Sequence, residues 1–385
     1  MIGQIGPSWS VASQLQRMGR SGRRDGDARI MRLYVDCFEP SPKADVFDRL
    51  HLPLIQAIAI SELMLEGWLE PPHTPSGDLS TLTLQLISVI SETGGIRADS
   101  LYRQLCPDGP FADIEPKLFR ELLQQLGQVD VIEQMEGGTL ILGLLGEKLR
   151  KDRGFYAAFK TDEEYAVLNN GKQLGTLQII PNCDEHLVFA GQRWLVTEVD
   201  LDRHEIHVVP AKGWKSPKFA GGLGEIHPRI RQKMCDVLAS DRAYIYLDTE
   251  AKSLLTDARH TAQSTSLCNE AFIPLGPQTT AMMTWTGTRI QNTLGAMFRL
   301  GGMLFEDKGI ALVFKISADE LYSQIKKFSD YSEKAPEVAR QVWPRLRRKY
   351  DHLLNDDLLD ISVIRGFLDI QGAKSLLAKL APDLL

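Results

Sequence analysis

The stretch QRMGRSGRR, Gln16–Arg24, decides how the rest of this chain is read. It follows the helix-forming run Trp9–Leu15 and has the spacing Q-x-x-G-R-x-G-R. Arg20 and Arg23 stand three residues apart on a turn bracketed by Gly19 and Gly22, which let the backbone turn and approach a ligand closely. Two guanidiniums placed in this way can point at one anion. A phosphoryl group in transfer is such an anion, because its equatorial oxygens need positive charge. Gln16 lies on the helix that aims the turn. A solvated basic loop after a helix would account for the charge, but not for the order of arginines and glycines.

Around this motif the sequence predicts a strand over Ile2–Ile5, a helix over Ser10–Met18 and a second strand over Arg29–Val35. That is one βαβ unit, whereas a parallel sheet buried on both faces needs several more strands. The phosphate-cradling pattern G-x-x-x-x-G-K-[ST] occurs nowhere in the sequence. The expectation is therefore a chain that carries one edge of a larger α/β lobe.

Further along, Pro40–Lys43 reads as a linker, Asp45–Leu69 as a strongly apolar helical region ending at Gly67, and Glu70–Asp78 as a proline-rich connection. Helices are expected over Leu82–Glu92, Ala98–Leu105 and Glu115–Leu126, the last with Leu118, Phe119, Leu122, Leu123 and Leu126 on one face. Val129–Gln134 and Thr139–Leu144 then flank the turn Glu136-Gly137-Gly138, which completes a winged-helix pattern. Lys117 and Arg120 on its third helix are offset by Glu115 and Glu121, so a structural or strand-guiding role is favoured over base reading. Lys148–Arg153 is a charged joint.

Beyond the joint, short β runs are expected at Tyr156–Phe159, Tyr165–Leu168, Gly175–Ile179, His186–Phe189, Arg193–Val199 and Glu205–Val209, with hairpin turns at Asn169–Gly171 and Asp200–Arg203. Such a series suggests a small barrel or curled sheet. From His227 the pattern becomes mixed. Helices are expected over His227–Ser240, Glu250–Gln263, Thr288–Leu300, Ala318–Phe328 and Pro336–Leu354, followed by a last pair through Leu380. Strands are expected over Ala281–Thr286 and Ile310–Ile316.

Length and composition agree with a multidomain α+β protein. The chain has 385 residues, 43% of them hydrophobic and 24% charged, which suggests about two to three domains. Its net charge of −6 means that any nucleic-acid contact must come from a local basic patch. Cys37, Cys106, Cys183, Cys235 and Cys268 never form a C-x-x-C pair, which fits a reduced cytoplasmic compartment and argues against a zinc site. The longest apolar run, Leu50–Leu69, is broken by Pro53, Gln56, Glu62, Glu66 and Gly67, so it reads as a buried helix and no membrane span. No signal peptide is expected at Met1.

One other stretch stands out: KGWKSPKFAGGLGEIHPRIRQK, Lys212–Lys233. It carries Lys212, Lys215, Lys218, Arg229, Arg231 and Lys233 against one acid, Glu225, with Trp214 and Phe219 between them. Cations that hold phosphates, interleaved with rings that stack on bases, are what a single-strand channel requires. The competing reading is a solvated loop whose Trp214 packs inward. The cluster Arg340, Arg345, Arg347, Arg348 and Lys349 around Trp343 reads as a charge-paired surface helix. In Met283–Arg299, Trp285 reads as core, although Gly287 could place it and Arg289 at a helix N-terminus. His204 and His207 are a poor metal pair, and no independent active site or metal site is evident.

The string IGQIGPSWSVASQLQRMGRSGRR, Ile2–Arg24, resembles the end of the second RecA-like lobe of the large helicase-related (Lhr-type) ATP-dependent helicases of superfamily 2, and the later segments follow that family's order. The resemblance implies three parts: the end of that lobe with its arginine-finger motif over residues 1–40, an apolar helix and winged helix over 41–150, and a helicase-associated terminal domain over 151–385, a small β-barrel followed by an α+β unit. It implies that Arg20 and Arg23 are catalytic, with Gln16 and Gly19 beside them at the ATP; the candidate nucleic-acid contacts Lys212, Trp214, Lys215, Lys218, Phe219, Arg229 and Arg231 come from the residue pattern itself. ATP and Mg2+ would belong to the intact parent enzyme and not to this chain alone, which is expected to be inactive without the core that precedes it. Single-stranded DNA or an RNA:DNA hybrid would be the partner, unwound by 3′–5′ movement, and DNA repair the setting. The rival is a stand-alone nucleic-acid-binding module without ATPase activity.

Overall fold

The protein is described by a computed structural model covering residues 1–22, 26, 28–37, 40, 44–72, 77–157, 165–177, 186–189, 192–200, 203–211, 224–325, 334–342, 345 and 348–380, with only the backbone described at 186–189 and 192–193. Near the N-terminus, β1 (Ile2–Ile5) and β2 (Met31–Tyr34) pair in parallel, and α1 (Val11–Met18) lies between them in sequence. α1 begins where Ser10 accepts a hydrogen bond from the Ser13 backbone N–H, a capping contact that satisfies one of the donors a helix leaves open. The sequence reading of this unit holds to within a residue or two at each boundary.

α2 (Leu52–Leu65) is apolar around most of its circumference because Leu54–Leu63 is buried throughout. Leu54, Ile55, Ile58 and Ala59 pack with Met234, Val237 and Leu238 of α7 (Pro228–Ala239) and with Leu255 and Ala258 of α8 (Thr249–Ser264). Ile60 and Leu63 turn toward Val11 of α1. α2 is thus the beam on which both the N-terminal unit and the later helices rest.

The next region runs α3 (Leu79–Thr93), β3 (Ile96–Arg97), α4 (Ala98–Leu105), α5 (Pro116–Gln128), β4 (Ile132–Gln134), β5 (Thr139–Leu142) and α6 (Leu144–Lys151). Its antiparallel sheet has the order β3-β5-β4. The two-residue β3 is too short to leave a sequence period and was not foreseen. Leu118, Phe119, Leu122 and Leu126 of α5 are buried as their spacing requires, while Lys117 and Glu121 form an exposed pair at 3.9 Å. The run expected as a strand at Tyr156–Phe159 is a turn at Tyr156, and its last two residues lie outside the described ones.

β6 (Tyr165–Asn169), β7 (Lys172–Leu177), β8 (His186–Phe189), β9 (Gln192–Asp200) and β10 (Glu205–Pro210) form one sheet of order β7-β6-β10-β9-β8. Asn170 (φ 48°) and Gly171 (φ 77°) make the β6–β7 turn with two left-handed residues, as a tight hairpin demands. Among the described residues this sheet is open, with β7 and β8 as its edges, so the expected small barrel is corrected to an open sheet. Its own small core comprises Tyr165, Val167, Trp194, Val196, Ile206 and Val208.

The last part is built on an antiparallel sheet of order β11-β12-β14-β13, from β11 (Phe272–Gly276), β12 (Thr279–Met283), β13 (Phe305–Asp307) and β14 (Ala311–Phe314). Alternation along the strands sends their side chains into two cores. Ala281, Met283, Ala311 and Val313 meet α2, α7 and α8. Met282, Leu312 and Phe314 meet Leu294, Met297 and Phe298 of α9 (Thr288–Leu300), within the core that also holds the α3–α5 leucines. α10 (Ala318–Ile325), α11 (Ala335–Ala339), α12 (Asp356–Phe367) and α13 (Ile370–Leu380) complete it. The long helix expected over Pro336–Leu354 is corrected: α11 ends at Ala339, five residues before Pro344, and Asp351–Leu353 is a single 3-10 turn. A proline at that position cannot supply the N–H that a continuing helix needs.

Candidate nucleic-acid interface

At the arginine turn, α1 closes with Arg20 N–H donating to the Arg17 carbonyl at 2.9 Å and Ser21 N–H to that of Met18 at 3.0 Å. Gly22 then takes φ 60°, a left-handed conformation that favours glycine. The buried Ser21 hydroxyl accepts from the Ile30 N–H at 3.0 Å, so the turn is pinned to the entrance of β2. Gln16, Gly19 and Arg20 are exposed, and among the described residues Arg20 has no acidic partner. Arg23 lies outside the described residues. The described half of the motif therefore offers a cation on a fixed turn, which fits the arginine side of a phosphate site. The lysine of such a site, borne by the pattern G-x-x-x-x-G-K-[ST], has no counterpart in this sequence.

α1 is aimed by polar contacts that the sequence did not reveal. The Glu70 carboxylate, in the segment after α2, accepts from the N–H groups of Val11 and Ala12, the latter at 3.1 Å. A carboxylate at a helix N-terminus satisfies open donors and meets the positive end of the helix dipole. Gln14 donates to Ser61 of α2 at 3.2 Å, and Gln56 of α2 donates to the Ser8 carbonyl at 2.8 Å. Beneath them Val11, Ile60, Leu63, Ile226 and Ile230 form one small core joining α1, α2 and the start of α7.

Lys212, Trp214, Lys215, Lys218 and Phe219 lie outside the described residues. The chain becomes described again at Gly224, directly against Trp9. A Cβ at that position would lie 2.4 Å from Trp9 Cγ, so only glycine allows the approach. Five residues on, the Arg229 guanidinium lies over the Trp68 ring at 4.9 Å, and the His227 ring meets the same indole at 5.2 Å between centroids. Arg229 is also 3.9 Å from Glu66, with which Lys233 forms an ion pair. The His227 Nδ1 caps α7 by accepting from the Arg229 N–H at 3.1 Å. Burial holds the His227 imidazole below its ordinary value, as does Arg229, while Glu70 opposes them. Trp9, Trp68 and His227 were missed in the sequence. Each stands alone beside a glycine, proline or serine at the edge of a helix, with no repeat to mark it.

Arg231, expected as a nucleic-acid contact, turns its guanidinium inward toward Gln56 and Met234. It sits one turn before Met234 and on the same side of α7, which places it among buried residues. Its Nη1 lies 3.5 Å from Gln56 Oε1 and 3.4 Å from the Met234 sulfur. Burial pushes its pKa down to about 10, with Asp307 opposing.

The other basic cluster is spent internally. Arg340 and Arg345 both pair with the buried Asp360, the former at 2.7 Å, and Arg345 meets Asp356 at 2.7 Å. Arg348 reaches Asp78, the N-cap of α3, at 3.0 Å, and Lys349 donates to the carbonyls of Gly154, Phe155 and Ala157. Arg347 and Trp343 lie outside the described residues. Trp285 donates through Nε1 to the Leu267 carbonyl at 3.0 Å, and Arg289 to that of Leu368 at 2.7 Å, so both are engaged within the fold. Gly287 permits the start of α9 to abut Ile226, which accepts from Thr288 N–H at 2.9 Å. Among the described residues no group of three or more histidine, cysteine or acidic side chains could hold a metal ion, and no helix is long and apolar enough to cross a membrane.

No protein-family model matches the chain. It is 21% identical over 253 residues to the Lhr helicase/uracil glycosylase of Escherichia coli (strain K12), a match covering 57% of this chain and 15% of that protein. Its fold is similar to that in the structure of Mycobacterium smegmatis helicase Lhr bound to ssDNA and AMP-PNP, with a TM-score of 0.54 and 16% identity, over 100% of this chain and 54% of that one. The chain thus spans about half or less of the length of the proteins it matches. The fold is of the mixed α and β class and is similar to about half of that helicase structure. Within that class the chain resembles the Lhr-type helicases, as the Ile2–Arg24 string implies.

Proposed function

We propose that the chain is the C-terminal portion of an Lhr-type ATP-dependent DNA helicase, in which Arg20 and Arg23 reach the γ-phosphate of ATP held with Mg2+ by a preceding core. In this reading β1, α1 and β2 are the end of the second RecA-like lobe, the α3–α6 region is a winged helix, and the sheets and helices beyond it hold the single strand. The parent enzyme moves 3′–5′ and unwinds DNA or an RNA:DNA hybrid. The observation that carries the reading is the shared small core of Val11, Ile60, Leu63, Ile226 and Ile230. It joins the helix leading into the arginine turn to the foot of the basic, aromatic segment Lys212–Lys233. A change at the nucleotide and a grip on the strand would therefore act on one packed unit.

The winged helix is structural in this account. The first turn of α5 faces Ile361, Ile364 and Arg365 of α12 across a shallow cleft, and Gln125 donates to the Leu353 carbonyl at 3.0 Å. A helix engaged in this way along one side is poorly placed to enter a major groove. The test is ATP turnover by the chain joined to the preceding helicase core. Arg20→Ala should lower kcat roughly 10³-fold, the scale of an arginine finger, with a smaller effect on nucleotide affinity. Undiminished turnover in that variant would refute the assignment.

A further inference from the structure

The cysteines gave no pattern in the sequence, yet the fold brings two of them together. Cys235 lies on α7, and Cys268 lies in the turn between α8 and β11, thirty-three residues further on. The Cys268 sulfur is 3.5 Å from the Cys235 carbonyl oxygen, and the Cys235 sulfur is 4.0 Å from that of Cys268. The two thiols also share a side-chain hydrogen bond. Both are unbridged and half-buried. The reciprocal contact is what two closely approaching backbones produce, and close approach is the geometric requirement of a disulfide.

We propose that Cys235 and Cys268 form a reversible disulfide when the protein meets a small-molecule disulfide, and that this bond fastens α7 to the α8–β11 turn. The Cys235 S–H lowers the pKa of Cys268, while that hydrogen bond and burial raise the pKa of Cys235. Cys268 is therefore the first nucleophile. Its thiolate attacks one sulfur of the reagent, the reagent S–S bond breaks, and one reagent thiolate leaves and takes up a proton. The Cys235 sulfur, losing its proton, then attacks Cys268 Sγ and displaces the second reagent thiol. Two protein thiols are oxidised, and one reagent disulfide is reduced to two thiols.

The bridge would tie down the helix that His227 caps and whose first turn carries Arg229, but it would not touch the Arg20 turn. It is independent of the proposed helicase function, since it needs only the described packing of α7 against the α8–β11 turn.

The folded chain is incubated with oxidised glutathione, alkylated under denaturing conditions without reduction, and digested with trypsin. Mass spectrometry is then used to seek a linked pair between the peptides that start at Met234 and His260. The expected result is that linkage as the dominant cross-link, absent in Cys235→Ser and Cys268→Ser, reversed by dithiothreitol and accompanied by a higher unfolding temperature in the parent. Recovery of both cysteines alkylated, or of glutathione adducts on either without the linkage, would overturn the proposal. Cys268→Ser retaining an adduct on Cys235 at the parent's rate would overturn the order of attack.

Discussion

Glu70 shows how a residue outside any motif can control one. Its carboxylate holds the first turn of α1, and α1 sets the direction of Arg20. Replacing Glu70 with Ala leaves two N–H groups without their acceptor and should cost about 0.5–2 kcal/mol, the range for a lost helix cap, measured by denaturant unfolding. His227 is the titrating counterpart at the start of α7. Burial lowers its pKa in the folded chain, and burial likewise lowers that of His51 against the opposing pull of Asp257. For groups of this kind the stabilising contribution is complete above 6.5, the ordinary imidazole value, and is lost as the pH falls through the lower folded-state values. The unfolding midpoint should therefore drop between neutral and mildly acidic pH. His227→Asn, which keeps a cap acceptor that does not protonate, should flatten that drop, and an unchanged slope would remove His227 from the account. Arg231→Ala should destabilise the fold without altering the salt dependence of strand binding, because its guanidinium lies among Gln56, Met234 and Asp307.

The elements divide into those whose sequences announce them and those fixed by distant partners. Two strands of the four-stranded sheet are of the first kind: β14 is apolar at every position and β12 from Ala281 to Met283, and the structure buries both faces. Leu312→Ala should cost about 2–5 kcal/mol in chemical unfolding, as large-to-small changes in a packed core do. The β1–β2 pair is of the second kind. Ile5, Ile30 and Tyr34 are exposed, so its amides should exchange with deuterium before those of α2, and equal protection would contradict that ranking. The sequence made α1, α5, α9 and the hairpin turns legible because caps, apolar period and glycine placement are local. It did not reveal the break after Ala339, where the run of arginines suggests a helix but Asp360 and Asp356 draw two of them onto α12. The small barrel, expected as one of two forms beside a curled sheet, was a similar overreading, since strand spacing says nothing of whether the first and last strands meet. The candidate site could be read as an expectation where its residues cluster in sequence, at Gln16–Arg23 and Lys212–Arg229, of which Arg23 and Lys212–Leu223 lie outside the described residues. It was hidden where the fold assembles it, as with Trp9 on Gly224 and Trp68 beneath Arg229.

At the scale of the molecule, α2 links the arginine turn to the foot of the basic segment, and the negative net charge makes that segment the place where a polyanion would settle. Trp194, buried in β9, serves as the reference for damage by unfolding alone: Trp194→Ala should disrupt the open sheet at a cost of about 3–5 kcal/mol. The measurement that tests the central claim most directly is the affinity of the chain for a labelled mixed-sequence single strand, followed by fluorescence anisotropy across a salt series, for the parent and for Trp214→Ala and Lys215→Ala. The account predicts salt-sensitive binding by the parent, weakened by roughly 1–3 kcal/mol in Trp214→Ala whatever the sequence, and a salt slope reduced by about 0.7 in Lys215→Ala. A folded Trp214→Ala chain that binds the strand as tightly as the parent, or a parent that does not bind at low salt, would contradict it.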